Sequence, residues 1–259
     1  LSKTPKIDNT RHHLILLAKN EIGYKNLNHL GTASHLEGFY YKPRIDKEIL
    51  EKYKEGLICL SGCFSGEVSK MLRDGHTAEA EAAALYYKNL FADDYYIEIQ
   101  PHSPELHEKL INLAKKLDIK LVATQDSHYI LPEDKPTHEV LLAVQTNGRL
   151  DDEDRFSFHD FDASLKSPED MINDFKHLPE AIASTLEIAE KCNFEFKLNQ
   201  TLLPRYEAPD GTNSNIYLKK LIEERLTKRY ENPSKEVKER VEYELGVIEK
   251  TGFANYFLI

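Results

Sequence analysis

Four short apolar runs, separated by stretches of helical character, limit what this chain can fold into more than any other feature. They are Leu14-Ile15-Leu16-Leu17-Ala18, Leu57-Ile58-Cys59-Leu60-Ser61, Tyr95-Tyr96-Ile97-Glu98-Ile99 and Lys120-Leu121-Val122-Ala123-Thr124. The first is continuously apolar, which suits a strand buried on both faces, the second reads as the next buried strand, and the third is rich in aromatic and β-branched residues. Between them, residues 24–37 repeat Leu27, Leu30 and Ala33 at helical spacing, and residues 46–53 read as a short helix ending before Gly56. Further helices are expected over 66–73, over 77–90 with Thr77 as cap, and from a Ser103 cap to Leu117. Strand–helix alternation of this kind predicts parallel βαβ units. Four strands can form part of a βα barrel, but closing one takes about eight. The expectation is therefore an open sheet, or a barrel with strands lying before Leu1.

After Ile130 the alternation stops. Helices are expected over 132–145, 168–175 and 179–192, with an acidic, aromatic loop over 150–164. The stretch 193–213 carries Pro204, Pro209 and Gly211 without a clear period and reads as a linker. Two helices of mixed charge follow, over 214–230 and 234–250, and the last residues, Phe253 to Ile259, are apolar. The apolar finish and a start at Leu1 without Met lead us to expect a piece of a longer protein. With 34 Lys+Arg against 44 Asp+Glu, the 259 residues carry a formal charge of −10. That balance argues against gripping nucleic acid with the whole surface. No apolar run reaches the ~18 residues of a membrane helix. Three cysteines, none in a CxxC pair, argue against a disulfide framework and for a reducing, cytoplasmic setting.

The sharpest local feature is Thr124-Gln125-Asp126-Ser127-His128, at the end of the fourth strand run. Residues two apart on an extended strand point the same way, so Asp126 and His128 can project together from the C-terminal edge of a parallel sheet. A carboxylate with an imidazole suits Zn²⁺, Mn²⁺ or Fe²⁺; the competing reading is an ordinary polar loop. Cys63 follows the second strand run and would open on the same edge as a thiolate ligand, although a lone Cys reads as a small buried hydrophobe. His13 precedes the first strand, the wrong end for such an edge, and by itself reads as a surface or half-buried histidine. The acidic loop, with Asp151, Asp152, Glu153 and Asp154, lacks the Gly and terminal Glu of a calcium loop and reads as a solvated excursion. His102 and His107 flank a helix start and read as surface residues. Phosphate-loop, GxSxG and HExxH signatures are absent. The basic residues of the C-terminal helices, interleaved with Glu223 and Glu224, read as a solvated face.

Taken in order, the segments His13-Leu-Ile-Leu-Leu-Ala, Gly38-Phe-Tyr-Tyr-Lys-Pro-Arg, Leu60-Ser-Gly-Cys-Phe-Ser-Gly-Glu and Ala123-Thr-Gln-Asp-Ser-His-Tyr resemble the bacterial DNA polymerase III alpha-subunit family. They match its N-terminal polymerase-and-histidinol-phosphatase (PHP) domain. The string from Tyr243 to Ile259 resembles the stretch that leads that family's chain into its palm.

The resemblance implies an α/β fold: a partial, distorted PHP-type βα barrel, then a helical segment leading into the polymerase palm. It implies a PHP domain over 1–195, a linker over 196–213 and the helical start of the polymerase body over 214–259. Carried over by motif, His13, Cys63, Asp126 and His128 fall on metal-ligand positions, for a divalent ion such as Zn, Mn or Fe. The family's other ligands (an HxH-containing motif, an Asp, a further His and a Glu) are expected before Leu1. The palm's Asp triad, which holds Mg²⁺ for nucleotidyl transfer, is expected beyond Ile259, so no residue here is assigned to polymerisation. The implied function is part of a replicative, DNA-directed DNA polymerase working with DNA and deoxynucleotides. Its PHP segment would be a phosphoesterase or 3′–5′ exonuclease, or a scaffold for a proofreading exonuclease subunit, with a sliding clamp and other replisome subunits as partners. Two alternatives stand beside it: a free-standing PHP phosphoesterase for a small phosphorylated metabolite, and a metal-free replisome interaction module.

Overall fold

A computed structural model describes residues 10–152, 154–200 and 204–259. The first residues of the chain, Glu153 of the acidic loop and residues 201–203 of the expected linker lie outside the described residues. The chain divides into two compact units, Leu1–Glu195 and Phe196–Ile259.

The first unit is mixed α/β and is built on one sheet. Its strands β1 (Ile15–Ala18), β2 (Leu57–Leu60), β3 (Tyr95–Ile99) and β4 (Lys120–Ala123) lie side by side in that order. All four apolar runs form strands, and β2, β3 and β4 run parallel as expected. The expected parallel first unit is corrected: β1 runs antiparallel to β2, pairing Ile15 with Leu60 and Ala18 with Leu57. The connection between these strands holds two helices, α1 (Glu21–Leu36) and α2 (Lys47–Lys52). It returns the chain to the end of β1 that it left, where Lys19 N–H donates to the Gly56 carbonyl at 2.8 Å. The alternation misled at this pair because apolar content alone carries no strand direction.

Helices α3 (Glu67–Arg73), α4 (Thr77–Phe91) and α5 (Pro104–Leu117) form the crossovers between the parallel strands. Helix α1 begins earlier than its apolar period suggests, because the Asn20 side chain accepts from Gly23 N–H at 3.0 Å and caps it there. Asp46 caps α2 through Ile49 N–H at 2.9 Å. Thr77 is not a cap: His76 occupies that position and Thr77 is the first helical residue. Ser103 does precede α5, but its hydroxyl makes no capping bond, and Pro104 at the first position supplies the preset φ instead.

Both faces of β2 and β3, and of β4 beyond Lys120, are buried, whereas β1, expected to be buried on both faces, is half-buried at the edge of the sheet. Cys59, Ile97, Ile99 and Leu121 face a core shared with Ala84, Leu106, Leu110 and other residues of α3, α4 and α5. On the opposite face, Ile58, Leu60, Tyr96 and Val122 pack with Ile188 of α8 (Pro179–Lys191). Each fully buried aliphatic side chain here contributes about 1.5–3 kcal/mol of transfer free energy. Helix α8 packs along β4 and is pinned by polar contacts. Lys120 Nζ meets Glu187 at 2.7 Å, Tyr96 Oη donates to Glu187 at 2.8 Å, and Lys191 Nζ donates to Tyr96 Oη at 2.8 Å.

Between β4 and α8 run α6 (Lys135–Thr146) and α7 (Pro168–Asp174). The second unit holds α9 (Ser214–Arg229), α10 (Lys235–Thr251) and α11 (Ala254–Leu258). There the Asn255 side-chain oxygen accepts from Tyr206 N–H at 2.9 Å and from Ser214 Oγ at 2.8 Å, tying the stretch before α9 to α11. No described helix is long and apolar enough to cross a membrane, and all three cysteines are unpaired.

The α8 contacts have a pH signature. Hydrogen bonds from Lys120, Lys191 and Tyr96 lower the Glu187 carboxyl from its usual 4.5 to about 2. A carboxyl lowered in the folded state stabilises fully above its unfolded pKa and loses that contribution as pH falls through the folded value. Glu187→Gln is therefore expected to lower the thermal midpoint at pH 7. In melts at stepped pH, the gap to wild type should close between about pH 4.5 and pH 2.

Candidate metal centre

The reversed direction of β1 builds the site. Because β1 is antiparallel to β2, its start, not its end, lies beside the C-terminal end of β2. His13 therefore stands at the edge where ligands bind in parallel sheets, which removes the objection to its position in the sequence. The loop after β2 is held there by backbone contacts: His13 N–H donates to the Ser65 carbonyl at 3.1 Å, and His13 bridges to Gly66. Two glycines make the approach possible. Gly62 has φ +83°, and a Cβ there would lie 2.5 Å from the His13 carbonyl oxygen; one on Gly66 would lie 2.3 Å from the Ser61 carbonyl oxygen. The loop places Cys63 Sγ 3.2 Å from His13 Nδ1. This bond to Cys63 raises the His13 imidazole above its usual value, against the lowering effect of burial.

At the end of β4, Asp126 Oδ1 lies 3.2 Å from His128 Nε2, both side chains partly exposed. Asp126 and His128 thus project together, and His13 meets Cys63. The chain does not gather all four into one cluster. Among the described residues, no three His, Cys, Asp or Glu side chains converge closely enough to hold a metal ion. The donor types (two imidazoles, a thiol and a carboxylate) suit a borderline divalent ion such as Zn²⁺ or Fe²⁺. Each pair fits as part of a coordination sphere, not as a whole one.

Between the pairs lies a carboxylate that sequence reasoning did not single out. Glu98, on the central strand β3, is only 2% exposed. Burial raises its carboxyl, opposed by the Thr124 hydrogen bond and by the charge of His13. Gln100 Nε2 donates to Glu98 Oε1 at 2.8 Å, and Thr124 Oγ1 donates to the same oxygen. A glutamate inside an otherwise apolar strand was the available signal, because a buried charge must find partners.

The acidic loop is a solvated excursion only in part. Asp151, Asp152, Asp154 and Asp160 are exposed. Its aromatic end is anchored on buried Glu139 of α6, which meets Arg155 at 2.6 Å, Ser157 Oγ at 2.7 Å and Phe158 N–H at 2.9 Å. Burial alone would raise the Glu139 carboxyl; these bonds outweigh it and hold it below its ordinary range. The anchor sets the Phe158 ring 4.6 Å from that of His128 and 4.9 Å from that of Phe161. His102 and His107 are corrected from surface to half-buried residues. His102 stacks on Phe161 at 4.6 Å, and its imidazole is lowered by burial; His107 Nε2 lies 2.8 Å from the Gln100 carbonyl. Both were misread because the rings that pack on them, Phe161 on His102 and Phe175 and His177 on His107, are distant in sequence.

The PHP domain pattern matches residues 3–102, which include His13 and Cys63, and the bacterial DNA polymerase III alpha NTPase domain pattern matches residues 216–259. DNA polymerase III subunit alpha of Borreliella burgdorferi is 40% identical over 265 residues, covering 100% of this chain and 23% of that protein. The chain belongs to the DNA polymerase III alpha family. The subunits of Treponema pallidum and Aquifex aeolicus are each 42% identical, over 96% and 97% of this chain. Against all three relatives, the chain spans only 22–23% of their length. The four-stranded mixed sheet followed by helices accords with a partial PHP-type barrel leading into further helical structure.

The Gly62 turn should be measurable. Gly62→Ala would hold a non-glycine residue at positive φ against the His13 carbonyl, a strain worth about 1–3 kcal/mol. Urea unfolding should show that loss, whereas Gly75→Ala, also at positive φ but with no neighbouring atom within 4 Å, should cost less.

Proposed function

We propose that this segment works in a replicative DNA polymerase of the bacterial cytoplasm, and that its first unit is a metal-dependent phosphoesterase module. The observation that carries this reading is the meeting of His13 with Cys63 and of Asp126 with His128 at one edge of the sheet. In this reading residues 1–195 are the PHP domain, 196–213 a linker and 214–259 the start of the polymerase body. The whole protein would extend a primer with deoxynucleotides on a DNA template. The Mg²⁺-holding aspartates of that reaction have no assigned counterparts in this segment.

At the PHP site, His13 and Cys63 would hold one side of a Zn, Mn or Fe ion or ion cluster, and Asp126 and His128 the other. Donors outside the described residues would complete each sphere. A divalent ion there would polarise a phosphoester and make water nucleophilic near neutral pH. Asp126 orients the His128 ring, and the Gly62 turn holds Cys63 in reach of His13. Phe158 and Phe161 shield one side of the His128 and His102 rings from water. A phosphodiester at a DNA 3′ end is the substrate this role calls for, which makes the module a 3′–5′ exonuclease; a docked proofreading subunit and sliding clamp are the partners it would work beside. The free-standing metabolite phosphatase is disfavoured by residues 216–259, which match a polymerase-specific pattern. The rival within the family is a metal-free scaffold for the replisome.

Elemental analysis of the full-length polymerase decides between them. Bound Zn, Mn or Fe in wild type, lost in an Asp126→Ala, His128→Ala double variant, is the expected result. No bound metal in either protein would leave the scaffold.

A further inference from the structure

Glu98 is hydrogen-bonded toward both ligand pairs. Its backbone N–H donates to Ser61 Oγ at 2.9 Å, two residues before Cys63. Its Oε1 accepts from Thr124 Oγ1, two residues before Asp126, and from Gln100 Nε2, which also donates to Thr124 Oγ1 at 3.1 Å. Thr124 N–H in turn donates to the Ile99 carbonyl at 3.1 Å. The ends of β2, β3 and β4 are thereby joined through one residue on the middle strand.

The cost of burying this group indicates that it does more than fill space. Glu98 and Gln100 are 2% and 6% exposed, and Glu98 Oε2, Gln100 Oε1 and Ser103 Oγ find no hydrogen-bonding partner among the described residues. The three side chains line a cavity of about 10 Å³ that also touches Cys63, close to the space that one water needs. An apolar residue at position 98 would avoid the desolvation penalty of a carboxylate, several kcal/mol for an unpaired one. Every other residue of β3 is apolar or aromatic.

We propose that the Glu98 side chain is the positioning residue of the metal site, holding the Asp126–His128 pair through Thr124 against a strand whose backbone N–H at the same residue holds Ser61, two residues before Cys63. The inference rests on the metal-dependent reading above and assigns Glu98 no contact with substrate. Outer carboxylates and hydroxyls that orient ligands change metal affinity by roughly 10–100-fold when removed.

The test uses full-length polymerase loaded with Co²⁺, whose thiolate charge-transfer band reports Cys63 and whose titration gives the affinity. Glu98→Gln and Thr124→Val should each weaken Co²⁺ binding by at least about 10-fold and diminish the thiolate band. Thr124→Ser, which keeps the hydroxyl, should restore both. A folded Glu98→Gln protein with wild-type Co²⁺ affinity and band overturns the proposal. Should Glu98→Gln fail to fold, equal affinity in Thr124→Val and Thr124→Ser overturns it. Wild type that takes up no Co²⁺ sinks the metal reading itself and this proposal with it, an outcome visible before any variant is made.

Discussion

The antiparallel pairing of β1 with β2 is the contact on which the site depends. Residues Ile15 to Ala18 pair in reverse with Leu57 to Leu60, and this puts the residue before β1 beside the residues after β2. Were β1 parallel, His13 would lie a strand length away, at the opposite edge from Cys63. Strand length is about 3.3 Å per residue, so a four-residue strand separates its ends by roughly 13 Å, far beyond hydrogen-bonding reach. The 3.2 Å approach of His13 to Cys63 is thus a consequence of topology first and of side-chain chemistry second.

The edge that carries the site is more polar beneath its surface than the strands suggest. The apolar faces of β2, β3 and β4 extend as far as Leu60, Ile99 and Ala123. Above them a layer of Ser61, Glu98, Gln100 and Thr124 replaces hydrocarbon with a hydrogen-bonded network. Such networks specify one arrangement because each partner lost leaves another buried group unpaired. Over this layer the aromatic end of the 150–164 loop is anchored by Glu139 and packs against His128 and His102. The acidic end of the same loop stays in water, so one loop serves two purposes at its two ends.

In the second unit, the helix-bearing segment leaves several large apolar side chains in solvent, among them Tyr243, Tyr256, Phe257 and Ile259. Its mixed charges are satisfied locally, as between Arg240 and Glu244 and between Lys220 and Asp210. Exposed pairs of this kind contribute little to stability, so apolar contacts, such as those of Leu218 and Ala254, carry the packing of this unit.

The positions of all four strands, of the crossover helices and of the Asp126-x-His128 pair were legible in the sequence. Each follows from a local rule: continuous apolar runs make buried strands, helical spacing makes helices, and residues two apart share a side of an extended segment. The direction of β1 was not legible, because an apolar run packs equally well either way and only the path of α1 and α2 returns it antiparallel. Nor was the half-burial of His102 and His107, since the rings that cover His102 come from a loop about sixty residues away. Glu98 shows the division most clearly. The sequence by itself determined that a glutamate stands in the third strand run, but its burial and the groups that meet it were decided only when Ser61 and Thr124 arrived from neighbouring strands, because a hydrogen bond acts over about 3 Å and sequence distance says nothing about that.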